Sequence, residues 1–220
     1  MELHDALMTT RAMRRLSDQP VSDATIQRIL RAAVQAPSGG NIQPYQFLVA
    51  TDQEVKDQLA AIYLKAHERY EPAIQQYIPP FKDEAAERRH QRNWAATDHL
   101  ARNLAAVPAM VLVLVPKISM AIDDDEGTMD VGPVYASVYP AVQNLILAAR
   151  NEGLGTVLTT VFRIYEDEVR EVCGIPERFE VVALMPLGFP TGKWGVANRR
   201  PAETMTSWNQ FGDKRPAIEE

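Results

Sequence analysis

The sequence predicts an α+β protein, and three observations carry that class. Ile26, Ile29, Leu30, Ala33 and Val34 recur at i, i+3, i+4, i+7 and i+8, one apolar face of a helix. "AMVLVLV", 109–115, is an unbroken β-branched and leucine run, the pattern of a strand buried on both faces. Further strand-like runs at 45–50, 156–162 and 179–189 are separated by helical stretches of uneven length, without the regular alternation of a doubly wound sheet.

In chain order, residues 2–9 read as a short helix. Ser22 is the expected N-cap of the next one, with Asp23 favourable in its first turn. Pro37 and two glycines stop that helix, and "YQFLVA", 45–50, follows as a strand. Asp52 is placed to cap a helix whose Val55, Leu59, Ile62, Tyr63 and Ala66 share a face. Residues 68–100 differ in texture, being charged, aromatic and interrupted by Pro72, Pro79 and Pro80; they read as an excursion of one or two helices over the core. After the buried strand, "ISMAIDDDEGTMDVG" reads as a polar loop. A long apolar helix over 134–151 is expected to end at Gly153. A strand at 156–162, a helix at 165–173 stopped by Gly174, and the strand "FEVVALMPLGF" complete the core elements. The tail from 190 has no clear period.

Bulk properties exclude several classes. At 220 residues one domain over 1–220 is expected. A net charge of −6 and a pI near 5.3 disfavour nucleic acid or an anionic membrane as the main partner. One cysteine, Cys173, leaves no intrachain disulfide and fits a reducing cytoplasm. Neither a leader pattern nor a long apolar run is seen, so export and membrane spanning are not expected.

Three segments carry side chains that a core does not require: "RAMRR" with Arg11, Arg14 and Arg15, "PSGGNIQ", and "NRRP" with Arg199 and Arg200. Two separated arginine clusters could converge on one phosphate, since guanidinium matches phosphate oxygens in a fork. Taken singly, each cluster is most simply solvated surface charge, and the glycine loop a connector. The four histidines show no metal-ligand spacing with acidic or cysteine partners, so no metal site is expected. Gly153 and Gly155 precede a strand rather than follow one, which is not a dinucleotide fingerprint. Cys173 reads as a small core residue, and "DDDE", 123–126, as a solvated acidic turn.

Order and spacing raise these segments above their separate weights. "TRAMRRLSDQPV", "APSGGNIQPYQFLVA", "PAVQNLILAARNEGLGTVLTTVF" and "ALMPLGFPTG" with "NRRPAE" together resemble the FMN-dependent nitroreductase family, over residues 8–204. The resemblance implies a central mixed sheet flanked by helices, a homodimer whose C-terminal tail embraces the partner subunit, and flavin at the interface. It implies FMN contacts from Arg11, Ala12, Met13 and Arg14; from Pro37, Ser38, Gly39 and Asn41 of the partner's loop; from Thr159, Thr160 and Val161; and from Arg199 and Arg200. Arg11 and Arg199 would grip the phosphate. Arg14 would stand at the N1 edge of the ring and Thr159 or Thr160 near N5, which makes these three the catalytic candidates. Ala12 replaces the family's usual serine, Thr10 its leading arginine and Tyr45 its tryptophan.

The implied reaction is transfer of electrons from NADH or NADPH, through FMN, to a small aromatic acceptor such as a nitroaromatic or quinone. No acid–base dyad is needed, because the cofactor carries the chemistry. The iodotyrosine deiodinase branch is a second resemblance. It implies one-electron steps and a Glu–Tyr–Lys clamp, for which Glu68, Tyr70 and Lys82 lie in the right region. The branch that makes the lower ligand of cobalamin, and a flavin-binding protein without turnover, are further alternatives. The excursion at 68–100 would be the lid.

Overall fold

A computed structural model describes residues 1–216. Helix α1 is Leu3–Thr9, and α2, Asp23–Ala33, starts at Ser22, whose hydroxyl accepts from the Thr25 N–H at 3.2 Å. Strand β1, Gln46–Ala50, leads to α3, Gln53–Gln75, capped by Asp52 through the Val55 N–H. Helix α4, Glu84–Asn103, is capped by Asp83. Then come β2, Ala109–Pro116, the hairpin β3, Ala121–Asp124, with β4, Gly127–Asp130, and α5, Tyr139–Asn151. Strand β5, Gly155–Thr156, α6, Glu166–Cys173, β6, Phe179–Gly188, and the short α7, Ala202–Met205, complete the order.

The sheet runs β1-β2-β6-β5, and each neighbouring pair is antiparallel. Within the described residues it is therefore antiparallel rather than mixed; strand polarity follows from how the crossovers run, which local sequence does not encode. The continuous run in β2 divides by pleat. Val111, Val113 and Val115 join α2 and α5 in one core with Ile26, Ile29, Ala33 and Leu145. Met110, Leu112 and Leu114 join α3 and α4 in the other with Leu59, Tyr63, Leu100 and Leu104. Helices thus cover both sheet faces, which is why this strand shows no polar alternation.

Five expectations change. Residues 121–130 form an exposed hairpin instead of a loop, its turn closed by the Asp124 carboxylate accepting from the N–H groups of Glu126 and Gly127. Lacking a buried face, this hairpin has no hydrophobic pattern to announce it. The strand expected at 156–162 shrinks to Gly155–Thr156 plus a single bridge from Thr159 to Leu184. Residues Val161–Tyr165 turn as a 3-10 helix, so tertiary placement overrides the β-branched propensity there. The helix expected from 134 begins at Tyr139, after a 3-10 turn at Val134–Ser137. Pro72 does not break α3, which continues to Gln75; the break comes between Gln75 and Glu84, around Pro79 and Pro80. Val34, placed on the buried face of α2, lies past its end and is exposed.

Beyond Pro190 the described chain has no buried residue. Trp194 lies under the Arg150 guanidinium at 3.9 Å, whereas Trp208 and Phe211 are exposed.

Candidate active site

The first arginine segment is strapped across one end of the sheet. Met13 N–H donates to Thr156 O at 3.0 Å, Ser17 N–H to Phe189 O at 2.8 Å, and Thr191 N–H to Arg15 O at 3.0 Å. Gly155 makes this approach feasible: a Cβ there would lie 2.7 Å from Met13 Cβ. The glycine belongs to packing and not to a phosphate loop.

The strap sorts its side chains. Met13 is buried, Arg11, Ala12 and Arg15 are exposed, and Arg14 is half-buried. Among the described residues, no hydrogen bond or ion pair engages Arg14. Burial pulls its pKa below the ordinary guanidinium value, and the neighbouring Tyr63 partly offsets this. A half-buried cation lacking a carboxylate is costly alone and well suited to an anionic or electron-rich ligand.

Tyr63, buried on α3, shares a 2.8 Å hydrogen bond with the Thr159 hydroxyl, and burial pushes the phenol pKa up. Thr159 also exchanges backbone hydrogen bonds with Leu184 in both directions. Its side chain is therefore turned into the protein. Thr160 is exposed and Val161 half-buried, so of the two threonines Thr160 presents the accessible hydroxyl. Tyr63 read in the sequence only as one more apolar position of α3; its hydroxyl bond has no local signal.

The Pro-Ser-Gly-Gly-Asn loop is shaped by its own polar groups. Ser38 Oγ accepts from the Gln43 N–H at 2.9 Å, Ser137 Oγ accepts from the Gly39 N–H at 3.0 Å, and Asn41 Oδ1 accepts from the Gln43 side chain at 3.1 Å. Gly40, Asn41 and Gln43 all have positive φ, between 47° and 56°. Such clustered left-handed residues need compensating bonds, and these supply them. Pro37, Gly39 and Asn41 are exposed. Among the described residues no hydrogen bond joins this loop to the strap.

The tail begins beside the strap, with Gly195 N–H donating to Thr9 O at 3.4 Å. Arg199 and Arg200 are exposed, the first reaching only its neighbour's carbonyl and the second the Met205 sulfur. The structure therefore draws Arg14, Tyr63 and Thr159 together, with Met13 beside Thr156, and leaves the loop and the two tail arginines apart within one chain.

A cavity of about 680 Å³ opens between the end of α3, the 76–83 connection and α4. Phe81, His90 and Trp94 form an aromatic row in its wall, with centroids 5.0 and 5.9 Å apart, beside Glu71 and Asp98. Arg15 of the strap donates to Ala95 O on α4 at 3.5 Å, which ties the two regions. Glu68, Tyr70 and Lys82 are exposed and do not line this cavity. Burial raises the Cys173 thiol pKa, as befits a packed residue rather than a nucleophile.

An antiparallel sheet between helical layers, with a cationic strap at one end, is an α+β architecture. The model of the Nitroreductase family matches residues 7–189. A protein of Archaeoglobus fulgidus named as an NADH dehydrogenase/NAD(P)H nitroreductase is 31% identical over 186 residues, covering 84% of this chain and 83% of its own. Iodotyrosine deiodinase 1 of Rattus norvegicus is 24% identical over 192 residues, 86% of this chain and 62% of the deiodinase. The solved structure of an oxidized iodotyrosine deiodinase bound to FMN and 3-iodo-L-tyrosine superposes with a TM-score of 0.72 at 23% identity, covering 96% of this chain and all of that one. The chain belongs to the nitroreductase family.

Proposed function

We propose that this chain reduces small aromatic acceptors, nitroaromatics or quinones, with electrons from NADH or NADPH in a ping-pong cycle. The protein is an FMN-dependent oxidoreductase of its family, with NAD(P)H as donor. Bound FMN supplies the electron-transfer chemistry. The observation that carries the reading is Arg14, a half-buried guanidinium that no carboxylate of the described residues neutralises.

Arg14 would compensate negative charge arriving at the cofactor's electron-rich edge. Arg11 and Arg199, with Arg200, would hold its phosphate, and the backbone at Ala12 and Met13 would line the same edge. Thr160 and Val161, beside the inward-turned Thr159, would flank the ring. Pro37, Ser38, Gly39 and Asn41 would reach the cofactor of the other subunit. That last role is supported by a loop held stiffly yet unattached to the strap of its own chain. A tail exposing Val196, Met205, Trp208 and Phe211 supports a homodimer, because an embraced partner would bury them. A flavin-bearing monomer by sedimentation at micromolar concentration would contradict it. The helices around the 680 Å³ cavity would act as the acceptor's cover.

The deiodinase reading is supported by the 0.72 superposition and weakened by the outward placement of Glu68, Tyr70 and Lys82. Steady-state kinetics separate the two. Initial rates against NAD(P)H and a nitroaromatic or quinone should give parallel double-reciprocal lines, with no turnover of 3-iodotyrosine. Iodide release from iodotyrosine, with quinones and nitroaromatics inert, would replace the proposal by the deiodinase reading.

A further inference from the structure

A second group of titratable side chains lies where α3 and α4 face each other. His67 on α3 is completely buried, and among the described residues neither ring nitrogen has a hydrogen-bond partner. Buried imidazole nitrogens are normally satisfied, so this one requires an explanation. Its Nε2 faces two carboxylates, Asp98 Oδ1 at 3.5 Å on α4 and Glu71 Oε2 at 3.8 Å one turn further along α3. The three ligand atoms all lie within 4.8 Å of one another.

We propose that His67, Glu71 and Asp98 bind a divalent transition-metal cation of the zinc type, bridging α3 and α4. Ligands at ordinary zinc distances around a tetrahedral centre stand about 3.4 Å apart, so only small side-chain shifts are needed. One imidazole with two carboxylates suits a borderline cation. Both carboxylates are already oriented from behind. Trp94 Nε1–H donates to Glu71 Oε1 at 2.6 Å and leaves Oε2 for the cation. Arg102 Nε–H donates to both oxygens of Asp98, at 3.0 and 3.1 Å, and Asp98 keeps lone pairs on the far side. Such outer partners are what metal ligands ordinarily carry. With neutral imidazole, two carboxylates and one guanidinium, the cluster keeps a net negative charge that a dication would offset. Glu71 and Asp98 also line the 680 Å³ cavity, so an open coordination position is reachable from it by an oxygen-bearing ligand.

The site stands independently of the flavin reading. The full chain, with its flavin and stripped by chelator, should bind a single equivalent of Zn²⁺ per chain in calorimetry, with a Kd of about 1 μM or tighter. His67→Gln and Asp98→Asn should each weaken binding by roughly 10- to 100-fold. His90→Gln, about two turns before Asp98 on α4 and outside the ligand cluster, should leave it unchanged. X-ray absorption of the zinc-loaded wild type should show one imidazole and otherwise oxygen, at about 2.0–2.2 Å and without sulfur; this reading is independent of how the variants fold. No saturable zinc uptake, or two or more imidazoles in the wild-type spectrum, would overturn the proposal. So would undiminished binding in folded His67→Gln.

Discussion

Replacing Arg14 by Met should lower kcat/KM for acceptor reduction by roughly 10²- to 10³-fold, the effect of removing one preorganised charge-stabilising group. Met keeps most of the side-chain length and removes the charge, so the substitution isolates the effect of the charge. The large effect is expected because Arg14 is half-buried, where a charge interacts more strongly than in water. Its solvation has been lost in part already, as the downward pull on its pKa records. Arg14→Lys should recover a substantial part of the rate, since a positive charge matters more here than the fork geometry. Stopped-flow measurement of the NAD(P)H and acceptor half-reactions reads the effect directly. Wild-type rates in a folded, flavin-loaded Arg14→Met protein would remove Arg14 from the mechanism.

Losing Arg11 or Arg199, the arginines proposed to hold the phosphate, should act on affinity instead of turnover. Arg11→Ala and Arg199→Ala should each weaken FMN by roughly tenfold to a hundredfold, the range for one charge-assisted hydrogen bond. Both side chains are exposed and neither has an ion-pair partner among the described residues, so neither substitution should cost fold stability. The double variant should multiply the two losses if the groups act separately on one phosphate. Fluorescence titration of flavin-stripped protein with FMN measures all three. Riboflavin, which lacks the phosphate, should bind the wild type and Arg11→Ala alike. Equal losses for FMN and riboflavin would show that the arginines act on something other than the phosphate.

Much of the architecture is legible wherever its cause is local. Ser22, Asp52 and Gly174 mark helix ends through their own side-chain or backbone chemistry, and each does so in the structure. The β2 run is readable because burial on two faces leaves no polar position. Features set by distant partners are not readable this way. The hairpin at 121–130 buries nothing, and the inward turn of Thr159 depends on distant partners, its backbone bridge to Leu184 and the Tyr63 hydroxyl from α3. Contrary to the expectation that no histidine has an acidic partner in register, His67 and Glu71 stand one helical turn apart, and α4 adds Asp98 to them, a neighbour that no local spacing announces. The family motifs mark the segments that the resemblance implies for the cofactor. They do not reveal that Arg14 is the half-buried cation while Arg11 and Arg15 face solvent.

Sedimentation of the purified chain, followed at about 450 nm where flavin absorbs, tests the central claim most directly. The account predicts a yellow boundary at twice the 24.6 kDa chain mass, with one FMN per chain released on denaturation and no FAD. Colourless protein that also fails to take up added FMN would contradict it.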